Sequence, residues 1–270
     1  MPLLGGRVVL VSGGTQGVGA GVARAAVREG ATVALLGRNR QLGEALAAEL
    51  TAAGTAAGTA AGTAAGTAAS FVPTDVADPA AVLASVAAVL AAHGKVDCLV
   101  NAAGLTSRGT LLDTTPELFD AHVAVNLRGP FFLMQAVVRA LVERGAPGSI
   151  VNVISSSELG GQPYLAPYVA AKAGLAGLTR NAAYAHRFDR IRINGVDIGW
   201  TDTEGEDATQ REFHGADDGW RDRAARTLPM GRLGQVDEIA EFIVFLLSDR
   251  SGVVTGSVLD WDQIVFGAHD

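Results

Sequence analysis

Tyr168 and Lys172 lie four residues apart in PYVAAKAGLAGL, a run of good helix formers, so the spacing puts both side chains on one helical face. A phenol has a reference pKa of about 10, and a neighbouring ammonium is the simplest group that stabilises its anion. Lowering that pKa by about three units requires roughly 4 kcal/mol of differential interaction. An exposed ion contact is too weak for this, so the pair has to be partly withdrawn from water and assisted by further positive charge, such as an oxidised nicotinamide. A tyrosine tuned in this way exchanges a proton with an alcohol or carbonyl oxygen. The same spacing also arises where a tyrosine packs on a lysine stem in an ordinary helix, so the rest of the chain has to decide.

The elements that would position such a pair are visible as an alternation. RVVLVSG, ATVALLG, SFVPTDV, VDCLVNAAG, SIVNVISS, IRINGVDIG and VVTGSVLDW are short β-branched runs, and Ala-rich helical stretches separate them. Strands apolar on both faces and separated by helices predict an α/β, Rossmann-like, doubly wound fold with a seven-stranded parallel sheet and helices on both faces. Ligands in such folds bind at the carboxyl ends of the strands, which is where Gly13, Arg38, Asp75, Asn101, Ser155 and Gly199 fall. Residues 1–270 read as one domain. Within it, residues 51–70 repeat TAAG four times and close on TAAS, as either a frayed helical extension or a mobile excursion. Residues 203–226 form a strongly charged stretch.

The first strand leads into Ser12-Gly13-Gly14-Thr15-Gln16-Gly17-Val18-Gly19 and then a helix. Glycines there permit a tight turn and close backbone approach, while the free N–H groups and dipole of the helix start favour a pyrophosphate. Roughly twenty residues on, where NAD-binding folds offer a carboxylate to the ribose diol, the chain has Gly37-Arg38-Asn39-Arg40. A guanidinium pairs bidentately with a 2′-phosphate, so NADP(H) is favoured, with NAD(H) still possible because Gln16 adds no second positive charge to the loop.

Composition narrows the partners. At 49% hydrophobic and 18% charged residues the chain is globular, and no apolar run approaches the ~20 residues of a membrane span. The absence of a signal peptide predicts a cytoplasmic protein. A net charge of −7 without a Lys/Arg cluster argues against nucleic acid and for a small-molecule substrate. The single cysteine, Cys98, reads as buried filler, and the five histidines are too scattered to predict a metal site.

Taken in order, these segments resemble the short-chain dehydrogenase/reductase family in its single-domain form, from Gly5 to about Gly256. SGGTQGVG resembles T-G-x-x-x-G-x-G, and PTDVAD resembles the segment that sets Asp75 and Val76 beside the adenine. NAAG, with Asn101, Ala102 and Gly104, is similar to N-N-A-G, and VNLRG carries Asn126. YVAAK matches Y-x-A-x-K, and RINGVDIGWTDT is similar to R-V-N-x-V-x-P-G-x-x-x-T. The resemblance implies Tyr168 as general acid/base, Lys172 as the group that stabilises tyrosinate and binds the nicotinamide ribose, Ser155 as the donor to the substrate oxygen, and Asn126 as holder of a water in a proton path. It also implies that Gly13, Thr15, Gln16, Gly17, Val18 and Gly19 bind the cofactor phosphates, that Gly199, Thr201 and Thr203 hold the carboxamide end, and that the protein is a homo-oligomer, either tetramer or dimer. Counting thirteen residues back from Tyr168 or three forward from Asn152 selects Ser155, whereas counting back from Gly160 selects Ser157.

Departures also carry information. Ile198 stands where the pattern has proline, and LDWDQ replaces V-D-G-G near the end. The stretch 203–226 corresponds to the family's lid, and its acids disfavour polyanionic substrates or an acidic carrier protein. A small neutral ketone, polyol or sugar-like alcohol is the expected substrate, with Trp200, His214, Trp220, Glu158 and Gln162 as candidate lining residues. The competing reading is a non-catalytic dinucleotide sensor on the same fold. Because lengthening a surface connection costs little entropy, removal of two or three TAAG repeats is expected to leave turnover intact in a direct kinetic comparison of shortened and full-length protein.

Overall fold

The computed structural model describes residues 2–56 and 68–265. The middle of the TAAG repeat lies outside the described residues. Its start continues a helix to Ala56, and its last two residues, Ala69 and Ser70, open a strand.

Strands β1 (Val8–Ser12), β2 (Thr32–Gly37), β3 (Ala69–Pro73), β4 (Cys98–Asn101), β5 (Gly148–Val153) and β6 (Ile191–Ile198) alternate with helices α1 (Gly17–Arg28), α2 (Arg40–Ala56), α3 (Pro79–His93), α4 (Pro116–Val123), α5 (Gly129–Arg144) and α6 (Ala166–Ala185). Beyond β6 come β7 (Thr201–Asp202), α7 (Glu204–His214), α8 (Trp220–Thr227), β8 (Gly234–Gln235), α9 (Val236–Leu247) and β9 (Val258–Trp261). Seven of the strands form one parallel sheet in the order β3-β2-β1-β4-β5-β6-β9, as the alternation predicts. The order reverses between β1 and β4, which opens a crevice at their carboxyl ends.

The period-two alternation of the strands sorts their side chains into two cores. Val9, Val11, Val33, Leu35, Val100 and Val151 pack beneath α1, α2 and α9. Leu10, Ala34, Leu36, Leu99, Ile150 and Ile193 pack against α3, α5 and α6. Every residue of β1 is buried, which is why it reads as an unbroken apolar run.

Two features were not legible beforehand. The helical stretch between β4 and β5 breaks into α4, a π-helical turn at Ala124–Arg128 and α5, so the wide turn carries Asn126. A short parallel pair, β7 with β8, ties the base of α7 to the segment before α9.

The carboxyl ends of the central strands are joined by a buried polar ladder. Ser12 Oγ donates to Asn101 Oδ1 (3.4 Å), Asn101 Nδ2 to Asn152 Oδ1 (2.8 Å), Asn152 Nδ2 to Thr179 Oγ1 (2.8 Å), and Thr179 Oγ1 to the Leu175 carbonyl (2.7 Å). Truncating its centre strands the Asn101 amide without water or partner, and an orphaned buried polar group costs about 1–3 kcal/mol. Asn152→Ala is therefore expected to lower unfolding free energy by at least that amount in urea titration, with an unchanged m-value.

Candidate functional site

The crevice at the strand ends is a cleft of about 1600 Å³. Its phosphate end is built from the glycine turn. Gly13 has φ +68°, and a Cβ there would lie 2.6 Å from the Ala103 backbone; at Gly19 it would lie 2.2 Å from the Gly13 carbonyl oxygen. Only glycine lets the turn pack this closely against the β4–α4 loop. Gln16, which precedes α1, makes no side-chain cap, so the N–H groups of the first helical turn are free of side-chain acceptors and suit an anion. Thr15, Gln16, Gly17 and Val18 line this end with them. The residues present fit a dinucleotide.

At the adjoining rim, Asp75 Oδ1 accepts the Ala77 N–H (3.0 Å) and Val76 packs beside it. Arg38 lines the cleft, is exposed, and has no ion-pair partner among the described residues, whereas Arg40 is paired with Glu44 at 3.0 Å. Of the two arginines singled out after β2, Arg38 is thus the guanidinium available to a ligand.

The other end holds Tyr168 and Lys172, with exposures of 8% and 4%. They share one face of α6 as the spacing predicts, and both line the cleft. The ammonium donates to the Val153 carbonyl (2.7 Å) and lies 5.6 Å from the centre of the Tyr168 ring. Burial pushes the Tyr168 hydroxyl up to about 12, against an opposing hydrogen bond from Ser155. Burial pushes Lys172 down to about 8, against the opposing charge of Asp197. The tyrosine is therefore a firmly protonated acid, which differs from the lowered value expected of the pair; loss of hydration dominates, and the Lys172 Nζ is turned to a backbone carbonyl. Ser155 lies two residues beyond β5 and caps a 3₁₀ turn over Ser156–Leu159 by accepting the Ser157 N–H (3.2 Å). Ser155 lies beside Tyr168; its Oγ donates to Ser157 Oγ (3.2 Å), which in turn donates to Gln162 Oε1 (2.7 Å).

Ala102, Gly104, Gly199, Thr201 and Thr203 line the cleft as expected. Thr203 Oγ1 also caps α7 by accepting the Glu206 N–H (2.9 Å). Two expected site residues do not line it. Asn101 is 2% exposed and its side chain belongs to the ladder within the sheet. Asn126 is fully buried behind the wall: Oδ1 accepts the Leu105 N–H, and Nδ2 donates to the Leu105 carbonyl and to His122 Nδ1. Both amide hydrogens are spent, so the side chain clamps the β4–α4 loop, and a water can meet only its remaining oxygen lone pair or the backbone.

Of the expected lining residues, Trp200, Gln162 and His214 do face the cleft. Trp220 instead stacks on Trp200 at 6.0 Å inside the small core of the 203–226 segment, and Glu158 lies outside the lining. Sequence reasoning missed Arg108. Its guanidinium donates to His214 Nε2 (3.1 Å) and sits over the Tyr164 and Phe213 rings at 5.3 and 5.6 Å, joining the β4–α4 loop to the end of α7. It also missed Asp262, which packs against Gly199 at the cleft floor. Neither carries a motif; chain reversal alone brings them there.

No helix among the described residues is long and apolar enough to cross a membrane. A family model described as enoyl-(acyl carrier protein) reductase matches residues 13–263. The chain is 37% identical to L-rhamnose 1-dehydrogenase (NAD(P)(+)) of Azotobacter vinelandii, with 98% of each chain covered. It is 30% identical to sorbitol dehydrogenase of Cereibacter sphaeroides over 96% of this chain and 97% of that one. Among solved structures, an actinorhodin polyketide ketoreductase variant with NADPH superposes with a TM-score of 0.86 at 31% identity, covering 95% of this chain and 96% of that one. The glycine cradle, the buried Tyr168–Lys172 pair and these full-length similarities lead to one conclusion: the chain belongs to the short-chain dehydrogenase/reductase family, oxidoreductases that bind NAD(P).

Proposed function

We propose that the protein transfers a hydride between NADP(H) and the carbonyl or secondary alcohol of a small neutral substrate, a polyol or sugar-like alcohol in preference to a simple ketone. The observation that carries this reading is the burial of Tyr168 and Lys172 side by side beyond the glycine cradle, with Ser155 beside the phenol. When bound, the nicotinamide supplies or accepts the hydride. The glycine turn and the α1 N–H groups hold the pyrophosphate, Arg38 holds the 2′-phosphate, Asp75 and Val76 flank the adenine, and Gly199, Thr201 and Thr203 meet the carboxamide end.

Ser155 donates a hydrogen bond to the substrate oxygen and orients it. Tyr168, held protonated by burial, gives its proton to that oxygen in reduction and takes one from the alcohol in oxidation. Lys172 stabilises the tyrosinate that reduction leaves behind, and Asn126 holds in place the loop through which water reaches the lysine. Proton donation from a buried acid with an elevated pKa suits the reductive direction at neutral pH, because the phenol stays charged with its proton throughout that range.

The polar groups at the substrate end favour a hydroxyl-rich ligand. Ser157 and Gln162 form one hydrogen-bonded set, and Trp200, Glu206 and Gln210 form another. The sorbitol and rhamnose dehydrogenase relatives support the same substrate class. Glu204, Glu206, Asp207, Asp217 and Asp218 on and around α7 repel an acidic carrier protein.

Tyr168→Phe is expected to lower kcat by at least about 10²-fold in a panel of polyols and ketones while NADPH fluorescence titration gives an unchanged Kd; turnover at the wild-type rate refutes the acid/base assignment, and cofactor binding by the wild type without turnover of any substrate favours a sensor. Removing the charged hydrogen bonds of Arg38 costs about 1.5–3 kcal/mol, so Arg38→Asp is expected to raise KM for NADPH by about 10- to 100-fold and to leave KM for NADH nearly unchanged.

A further inference from the structure

Asp197 has no place in the scheme above, yet it is 1% exposed and its Oδ1 has no hydrogen-bond partner among the described residues. It sits near the end of β6, next to Val196, which pairs with Val153 of β5, and strand alternation puts it on the Ile193 face of the sheet that α6 covers; the Val153 carbonyl accepts the Lys172 ammonium, and the following residue, Ile198, lines the cleft. The backbone N–H of Ser155 stabilises its ionised form. Its strand neighbour on the other side is Asp260 of β9, directly in register. A buried carboxyl with an orphaned oxygen is a liability in a protein interior unless a cation offsets it.

The charges around it are unequal. Glu158 from the 3₁₀ turn, Asp260 from β9 and Asp262 beyond it all repel an anion at Asp197, and Tyr168 feels that anion as an unfavourable neighbour. Burial and these three carboxyls push Asp197 up to about 7. Lys172 on α6 is the counterpart: its ammonium loses hydration, its direct bond goes to the neutral Val153 carbonyl, and Asp197 supplies the opposing charge. Each ion is unfavourable alone, and Asp197 is the anion that opposes the loss of hydration at Lys172.

Resting on the redox reading of the same cleft, we propose that Asp197 is the counter-charge of Lys172, a positioning residue that keeps the lysine protonated in the cleft and so sets the alkaline limit of the reaction. Because the two groups are coupled, the protons leave the pair in macroscopic steps that neither residue owns. Neutralising Asp197 removes the attraction and leaves the burial, so Lys172 gives up its proton at lower pH.

The chain has two lysines, Lys95 and Lys172, which makes the test direct. Protein labelled with ¹³C at lysine Cε gives two resonances to follow against pH without cofactor or substrate, and half-exposed Lys95, paired with Asp97 at 2.8 Å, is the internal reference. In Asp197→Asn the acid constant of Lys172 is expected to rise about tenfold, one pKa unit, with Lys95 unmoved. In Asp260→Asn, which removes a more exposed carboxyl of the same group, Lys172 is expected to move less than about threefold, roughly half a unit. The alkaline limb of kcat/KM should move with the resonance. Should Asp197→Asn not fold, the wild type still decides: its Lys172 signal is expected to carry a second inflection near neutral pH as Asp197 ionises. A Lys172 titration unchanged in Asp197→Asn, one shifted equally in Asp260→Asn, or a wild-type curve with one inflection overturns the proposal. Since the resonances are read in the empty protein, this outcome is independent of whether any alcohol or ketone is turned over.

Discussion

The reactive end of the cleft depends on withdrawing one ammonium from water. Lys172 sits on α6 beneath the ends of β5 and β6, where it has a single carbonyl as direct partner and a buried carboxyl nearby. A lysine in that position is poised to change its protonation near the physiological range, and its ammonium lies 5.6 Å from the centre of the Tyr168 ring within low-dielectric protein. Exposed to water, the same two side chains would be an ordinary surface pair with little influence on one another. The two cores on either face of the sheet keep that environment dry by fixing where α6 lies against β5 and β6.

The same desolvation explains why the phenol is a stronger proton holder than the spacing of the pair suggests. A four-residue separation fixes which face of a helix two side chains share, but a lysine stem has several rotatable bonds, and the Val153 carbonyl determines where its end is held. Ser155 opposes the effect of burial on the phenol, and burial wins. An acid kept protonated until the reacting oxygen arrives avoids losing its proton to solvent.

Groups that build the cleft without a motif were the least legible. Arg108, His214 and Tyr164 come from three separate loops and helices and meet over the substrate end. Asp197 reads as one strand residue among many until β5 and β9 flank it and water is gone. Asn101 and Asn126 were read as site residues because they belong to recognisable segments, and both turn out to spend their side chains on the framework, one across the sheet and the other on the Leu105 backbone. A side-chain amide has four hydrogen-bonding valences, and only the folded neighbourhood shows which are already taken.

What the amino-acid order determined unaided was local in origin: alternating strands and helices, the glycines that admit a close turn, the shared face of Tyr168 and Lys172, and an arginine at the position after β2 where NAD-binding folds offer a carboxylate. These follow from sterics and periodicity acting over a few residues. What tertiary structure decided was the electrostatic condition of those residues, because the energy of a charge depends on the water removed from it and on carboxyls brought close from distant strands, and neither quantity is written in neighbouring positions of the chain.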